Sequence, residues 1–320
     1  MTELNSPLFI GADVAQDAIV VAHHGQNTSC SIANTPTALK AWLKTLPSGA
    51  RIGLESTGRY HEPLALLAHR AGFIVYVLNP KDVRHYAQAV GKRAKTDHVD
   101  ALVLARFIAH ELTGLHPWQP PTRRERQIDS LLKRRAAVIK AQGMLRQTLA
   151  QLTSLKTDSQ AALASLAKLI ATIDRKLEQA VAADVVMQAR AECVQSVPGI
   201  GLLTGTALVN LFGRLPTARA DALVAFTGLD PRPCDSGKKR GTRRLSKRGP
   251  SELRRLLFNA AMAAAKTRVW KPFYDRERAK GLPSTAALIV LARKLVRVAF
   301  SLFKNRSDFD PARLGANGRA

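Results

Sequence analysis

The chain has 320 residues, of which 46% are hydrophobic, and this composition excludes an intrinsically disordered protein. Its length leaves room for two domains of ordinary size, each with its own core. Lys and Arg number 49 against 24 Asp and Glu, a formal net charge of +25. A surplus of this size indicates a polyanionic partner, and nucleic acid is the usual one. The alternative is a basic surface that is only solvated.

The three cysteines, Cys30, Cys193 and Cys234, lie far apart and form no CxxC pair. This spacing argues against a zinc ribbon or a disulfide scaffold and favours a reducing compartment. No signal-peptide pattern opens the chain, and no run of eighteen apolar residues occurs in it. We therefore expect a soluble cytoplasmic protein without a membrane partner, associated with the nucleoid when it is bound to DNA.

The first third of the chain alternates short strands and helices. Short segments separated by turn residues predict three strands in succession, a buried one in 7–15 and two more in 17–24 and 28–34. Further segments predict helix, strand, helix, strand and two helices, in 36–46, 51–56, 61–71, 73–79, 80–90 and 97–112. This is the element order of the ribonuclease H-like fold. The proline-rich stretch "HPWQPPT" at 116–122 ends the domain, so residues 1–120 form an α/β domain.

Residues 121–188 show a helical period. Apolar residues recur at a three-four spacing in two runs: Ile128, Leu131, Val138, Leu145, Leu149 and Leu152, then Leu163, Leu166, Ile170, Ile173 and Leu177. Arg135 and Gln142 interrupt the first run, and the polar stretch "KTDSQ" separates the two. The pattern predicts an antiparallel coiled-coil hairpin, which serves as a spacer or an oligomerisation arm and carries no chemistry.

Residues 189–320 predict a mainly helical domain. "SVPGIG" places Pro198 to Gly201 in a tight turn before a helix, and such a turn resembles helix-hairpin-helix elements whose backbone approaches a phosphate. The stretch 230–255 holds ten Lys or Arg against three acids, a net charge of +7. Its glycines and prolines predict irregular structure in its first part. Two helices, near 250–268 and 284–304, complete this domain.

Four acids outline a candidate metal site. Asp97 and Asp100 lie three positions apart at a predicted helix start, hence on one face, although Thr96 followed by acids is also an ordinary helix start. Asp13 interrupts an apolar strand, and Glu55 ends another. A buried carboxylate is costly unless it is paired or bound to a cation, and four oxygen donors suit Mg²⁺ or Mn²⁺. Two such ions about 4 Å apart can stabilise both reacting oxygens at a phosphorus.

The acidic motifs "GADVA", "ESTG" and "KTDHVDA" resemble those of the DEDD transposases, the insertion-sequence one-ten family. The N-terminal domain of that family is similar to the resolvase RuvC. "SVPGIG", "FTGLDPRPCDSG" and "LSKRGPSELRRLL" are similar to the family's transposase domain, in the same order, so the resemblance covers nearly the whole chain. Family members usually carry a larger aliphatic residue where Ala12 stands, a departure that touches packing and leaves the acids intact.

The resemblance implies a recombinase that acts through a covalent serine–DNA intermediate, with Ser236 as the nucleophile. It also implies a structured noncoding guide RNA that pairs with target and donor DNA. We expect the acids and Ser236 to meet in a composite site within a dimer or tetramer. Phosphate binding is expected of basic residues beside both motifs: Lys92, Arg93, Lys95, Lys238, Lys239, Arg240, Arg243, Arg244, Lys247, Arg248, Arg254 and Arg255.

Several alternatives remain open at this stage. Ser236 is also interpretable as a loop serine that contacts phosphate. Ser246, likewise flanked by basic residues, competes for the nucleophile's role, although a position capping or preceding the next helix suits it better. His61 and His98 adjoin the acidic motifs, where an orienting role competes with a surface role. The whole chain is alternatively a RuvC-type nuclease that activates water, or a non-catalytic nucleic-acid-binding protein.

Overall fold

The computed structural model describes residues 7–56, 58, 60–91, 96–215, 217–232, 241 and 243–316. The chain divides into two compact units, Met1–Pro120 and Pro121–Ala320. The boundary falls within the proline-rich stretch 116–122. The predicted hairpin of 121–188 thus groups with the C-terminal unit by its contacts. Within the described part of the chain, no helix combines the length and the apolar character that a bilayer span requires.

The first unit is built on a mixed five-stranded sheet in the order β3-β2-β1-β4-β5. Its strands are β1 Phe9–Val14, β2 Ala18–His23, β3 Ser29–Ala33, β4 Arg51–Glu55 and β5 Ile74–Leu78. Strands β1, β2 and β3 pair antiparallel, whereas β1, β4 and β5 pair parallel. The helices are α1 Pro36–Leu43, α2 Glu62–Arg70, α3 Pro80–Ala89 and α4 Asp97–His110. This element order is the one that the sequence predicted.

Two adjacent glycines let α4 pack directly on the centre of this sheet. Gly11 of β1 and Gly53 of β4 are register partners. A Cβ on Gly11 would lie 2.0 Å from the carbonyl oxygen of Ala101, and one on Gly53 would lie 2.7 Å from Cγ2 of Ile108. Since a bonded side chain cannot occupy those positions, the glycines set how closely the helix approaches the strands.

The second unit begins with an antiparallel helical hairpin, α5 Arg123–Leu149 and α6 Lys156–Ala182. Arg135 donates to both carboxylate oxygens of Asp174, with Nη2 3.1 Å from Oδ2, and the Gln142 amide donates to the Leu163 carbonyl at 3.3 Å. Both polar residues that interrupt the apolar run therefore form hydrogen bonds with the facing helix. The prediction that 156–160 forms the loop was wrong, because a 3₁₀ turn at Thr153–Leu155 makes the reversal and α6 starts at Lys156.

Further helices enclose one hydrophobic core in the second unit, with Trp270 and Phe212 fully buried. They are α7 Val185–Gln195, α8 Leu202–Arg214, α9 Ala220–Thr227, α10 Ser251–Ala264, α11 Lys271–Ala279, α12 Ser284–Asn305 and α13 Arg313–Ala316, with short paired strands β6 Pro231–Arg232 and β7 Arg244–Leu245. The sequence reading missed α11, because this polar helix buries only Glu277 and so lacks an apolar period.

Candidate active site

Asp13 and Glu55 stand side by side at the carboxyl ends of two parallel strands. Ala12 pairs with Leu54 in the register of β1 and β4, so the next residue of each strand is an acid. Residues two apart on a strand share a face, which puts Asp13 on the face of Gly11 and Glu55 on the face of Gly53. That is the face covered by α4. The sheet therefore directs both carboxylates to the same side as this helix.

The first turn of α4 supplies the other two acids. The Thr96 hydroxyl caps the helix, accepting a hydrogen bond from the Val99 N–H at 3.3 Å. Asp97 is exposed and Asp100 is half-buried. The acids belong to a capped helix start, where they complement the helix dipole, and the charge of each also acts on Asp13.

The four acids interact through their charges. The pKa of Asp13 is raised from 3.8 to about 6, mainly by burial, and then by the charges of Asp100, Asp97 and Glu55. Four carboxylates whose charges interact at one edge of a sheet offer hard oxygen donors to a divalent cation, so the chemistry of the residues fits Mg²⁺ or Mn²⁺. Among the described residues, however, no three Asp, Glu, His or Cys side chains are close enough to enclose an ion. The acids converge without forming a closed ligand cage.

Two polar side chains join the loops that follow Asp13 and Glu55. The Asn34 amide donates to the Ala15 carbonyl at 2.9 Å and to the Tyr60 carbonyl at 3.3 Å. The Tyr60 hydroxyl then donates to Oε1 of Gln16 at 2.9 Å. These bonds fix the loop after β1 against the loop after β4. They therefore help to set the spacing between the acids at the two strand ends.

Comparison with known proteins places this geometry in a family. Residues 10–157 match the IS110 DEDD domain profile, described as a transposase, and residues 191–275 match the "Transposase IS116/IS110/IS902 family". The chain belongs to the IS110 family of transposases. The first matched region contains all four acids of the site, and the second contains the basic stretch. Its enzyme class is that of DNA transposases and recombinases, which implies DNA as substrate and suggests dependence on a divalent metal.

Relatives of this IS110-family transposase include proteins of similar length. It is 29% identical to the "Pilin gene-inverting protein" of Moraxella bovis, over 95% of this chain and 98% of that protein. A protein of the same description from Moraxella lacunata matches equally. An insertion element IS116 uncharacterized 44.8 kDa protein of Streptomyces clavuligerus is 34% identical, over 38% of this chain and 31% of that protein.

Two hydrogen bonds join Asp230, the first residue of the basic stretch, to Ser246. Ser246 is buried, and its hydroxyl donates to the Asp230 carboxylate, while the Ser246 N–H donates to the Asp230 carbonyl at 3.0 Å. Strands β6 and β7 pair immediately inside this contact. Ser246 does not cap α10, because Pro250 occupies the N-cap position. Ser236 itself lies outside the described residues, as do Lys238, Lys239 and Arg240.

The predicted phosphate-binding residues occupy different environments. Arg243, Arg244, Lys247 and Arg248 are exposed. Arg254 instead is half-buried and donates to the carbonyls of Gly249 and Thr227, and burial lowers the pKa of its guanidinium. Arg255 forms a bidentate pair with Glu252, with Nε 2.8 Å from Oε2. Lys92, Arg93 and Lys95, ahead of Asp97, lie outside the described residues.

Sequence reasoning missed several residues that shape the acidic site. Gly11 and Gly53 each precede an acid by two positions, in "IGAD" and "IGLE", and this repeated spacing was the available signal. No local signal identified Asn34, whose partners are distant in the chain. Of the two neighbouring histidines, His98 contacts the Ser29 hydroxyl through Nδ1 at 2.7 Å, and His61 is half-buried at the start of α2.

Proposed function

We propose that this transposase cuts and rejoins DNA through a covalent link to Ser236, assisted by divalent cations at its four acids. The strand order and pairing of the first unit support a ribonuclease H-like, RuvC-like fold for the acidic domain. The observation that carries the proposal is the charge repulsion that Asp100, Asp97 and Glu55 exert on the half-buried Asp13. Such a cluster is costly for a metal-free protein and useful to one that binds metal.

The acids form the phosphate-facing part of the proposed site. When bound, Mg²⁺ or Mn²⁺ would offset the negative charge that develops on the scissile phosphate. Asp13 and Glu55 hold their positions because parallel strands end together, and α4 brings Asp97 and Asp100 to the same face. The bonds of Asn34 to the two adjoining loops keep this arrangement in place.

Ser236 supplies the proposed nucleophile, on the strength of its motif match. Its hydroxyl oxygen bonds to phosphorus as the bond from phosphorus to a deoxyribose oxygen breaks. The serine loses its proton, and the departing sugar oxygen gains one. A hydroxyl of another strand then reverses the exchange, so the number of phosphodiester bonds stays constant and no high-energy cofactor is needed. Basic neighbours in the stretch 230–255 bind the DNA phosphates on either side.

A guide RNA and an oligomer complete the proposal. The net charge of +25 supports a second nucleic-acid partner beside the DNA, and the resemblance makes it a structured noncoding RNA. The antiparallel hairpin of α5 and α6 is the element that would act as a coiled-coil arm and bring Ser236 of one subunit to the acids of another. The name of the Moraxella relatives, pilin gene-inverting protein, supports DNA inversion as one reaction of this kind.

The test is a search for a protein-linked DNA strand after incubation with the element's end DNA, its flanking transcript and Mg²⁺. We expect the adduct with the parent protein and with Ser246→Ala, whose hydroxyl serves Asp230. We expect no adduct with Ser236→Ala. Asp13→Asn and Asp97→Asn should abolish the adduct without abolishing DNA binding. DNA cleavage that persists in Ser236→Ala would refute the recombinase mechanism and identify a RuvC-type nuclease that uses water.

A further inference from the structure

Two histidines of the first unit face each other away from the acidic site. His24 follows the end of β2, and His110 is the last residue of α4. Their Nε2 atoms are 3.3 Å apart, and the rings meet edge to face with centroids 5.2 Å apart. Helix α4 has 14 residues, so His110 lies about 20 Å along the axis from Asp97. The pair is therefore distinct from the carboxylate cluster.

The distance between the nitrogens matches the geometry of a shared metal ion. Two Zn–N bonds of about 2.0–2.1 Å at a tetrahedral angle hold their nitrogens about 3.3–3.4 Å apart. Two N–H groups directed at one phosphate oxygen would instead hold the nitrogens roughly 4.5 Å apart, at ordinary hydrogen-bond lengths. The spacing favours a cation over an anion. In the absence of metal, one Nε2–H donates to the other Nε2, and metal binding requires that donor ring to carry its hydrogen on Nδ1.

The surroundings of His24 favour its neutral imidazole ring. The pKa of His24 is lowered, mainly by burial, then by His110 and by Arg106, and the neutral ring is the form that binds metal. The His24 N–H donates to the Phe9 carbonyl at 2.9 Å, and the Phe9 ring contacts the His24 ring edge to face, so backbone and ring are both held. The guanidinium of Arg106 opposes a cation, and its removal provides a test.

The pair opens onto a cavity of about 280 Å³ that Asn27 and Arg106 also line. Within the described ranges, no third Asp, Glu, His or Cys side chain completes the set. The remaining coordination positions would therefore belong to water or to an exchangeable ligand, as in open zinc sites. An ion held here would connect the turn after β2 to the end of the helix that carries Asp97 and Asp100.

We propose that His24 and His110 form a transition-metal site, selective for Zn²⁺ over Mg²⁺, that links the β2–β3 turn to the C-terminal end of α4. Imidazole nitrogen prefers zinc to magnesium, whereas the carboxylate cluster prefers the harder ion. The two sites therefore select different metals. The histidine site does not depend on the proposed serine chemistry.

The test is a calorimetric titration of Zn²⁺ into the chelator-stripped full-length protein, with excess Mg²⁺ present to compete at the carboxylates. We expect one zinc site per chain, weakened more than about tenfold in both His24→Ala and His110→Ala. His85→Ala, which removes an exposed histidine of α3, should bind zinc like the parent. Arg106→Gln should bind zinc more tightly.

Thermal unfolding provides the second readout. Zn²⁺ should raise the melting temperature of the parent and of His85→Ala, and it should leave His24→Ala unchanged, because only an intact pair links the two elements. Zinc binding that both alanine variants retain in full would overturn the proposal. The absence of zinc binding in the presence of Mg²⁺ would also overturn it. So would a melting temperature that inorganic phosphate raises through the two histidines and that Zn²⁺ does not raise.

Discussion

Replacing Asp13 with asparagine should stabilise the metal-free protein at neutral pH while removing its function. The folded-state pKa of about 6 lies above the ordinary value of 3.8, so folding disfavours the charged carboxylate. The contribution of Asp13 to stability is complete below about pH 4 and is lost as the pH rises through about 6. A rise of this size corresponds to about 3 kcal/mol. Because Asp13 is only half-buried, solvent screening reduces the expected gain to about 1–2 kcal/mol.

The assay is urea unfolding in chelator, at about pH 7.5 and about pH 4, on either side of the folded-state pKa. Asp17→Asn is the matched control, because it removes the same charge from the exposed turn between β1 and β2. We expect Asp13→Asn to be more stable than the parent at the higher pH and equal to it at the lower one. Asp17→Asn should show no such difference. A variant no more stable than the parent at about pH 7.5 would refute the convergence of the acids.

Three further predictions concern packing and polar contacts. Gly11→Ala should lower the free energy of unfolding by more than about 3 kcal/mol, because the new Cβ meets the α4 backbone. Gly53→Ala should lower it by only about 1–3 kcal/mol, because its Cβ meets a side chain that can move. Thermal unfolding measures both. Asn34→Ala should weaken divalent-metal binding about tenfold with little loss of stability, and an unchanged metal titration would contradict its positioning role. Arg254→Ala should lower the free energy of unfolding by about 1–3 kcal/mol, because its hydrogen bonds to two carbonyls are lost. Arg244 is exposed, so Arg244→Ala should leave stability unchanged. It should instead weaken DNA binding and make that binding less sensitive to salt, by the amount that corresponds to about one lost phosphate contact.

Much of the acidic domain could be predicted from local sequence patterns. Short apolar segments bounded by turn residues identified its five strands in order, and acids within or at the end of two of these strands marked Asp13 and Glu55. The spacing of Asp97 and Asp100 placed both on one helical face. These signals are local, because strand and helix periods are written in consecutive residues. The pattern failed at α11, where a polar helix is held by Pro272 near its start and by ion pairs of Glu277.

Other assignments depended on partners that are distant in the chain. Arg135 looked like a defect in an apolar run, and Asp174 on the facing helix accounts for it. The sequence favoured Ser246 as a residue that caps or precedes the next helix, whereas in the structure its hydroxyl donates to Asp230, which is 16 positions earlier in the chain. Arg254 could not be separated from phosphate-binding arginines by charge alone, since its carbonyl partners are Thr227 at the end of α9 and Gly249 just before α10.

The amino-acid sequence by itself determined which residues are acidic, which elements carry them and which family the chain belongs to, because these features are written in local composition and motif order. Only the tertiary structure decided that α4 crosses the paired glycines of β1 and β4, so that burial and three carboxylates from β4 and α4 together raise the pKa of Asp13. The physical reason is that charge repulsion and close packing depend on distances in space, and chain order does not specify them.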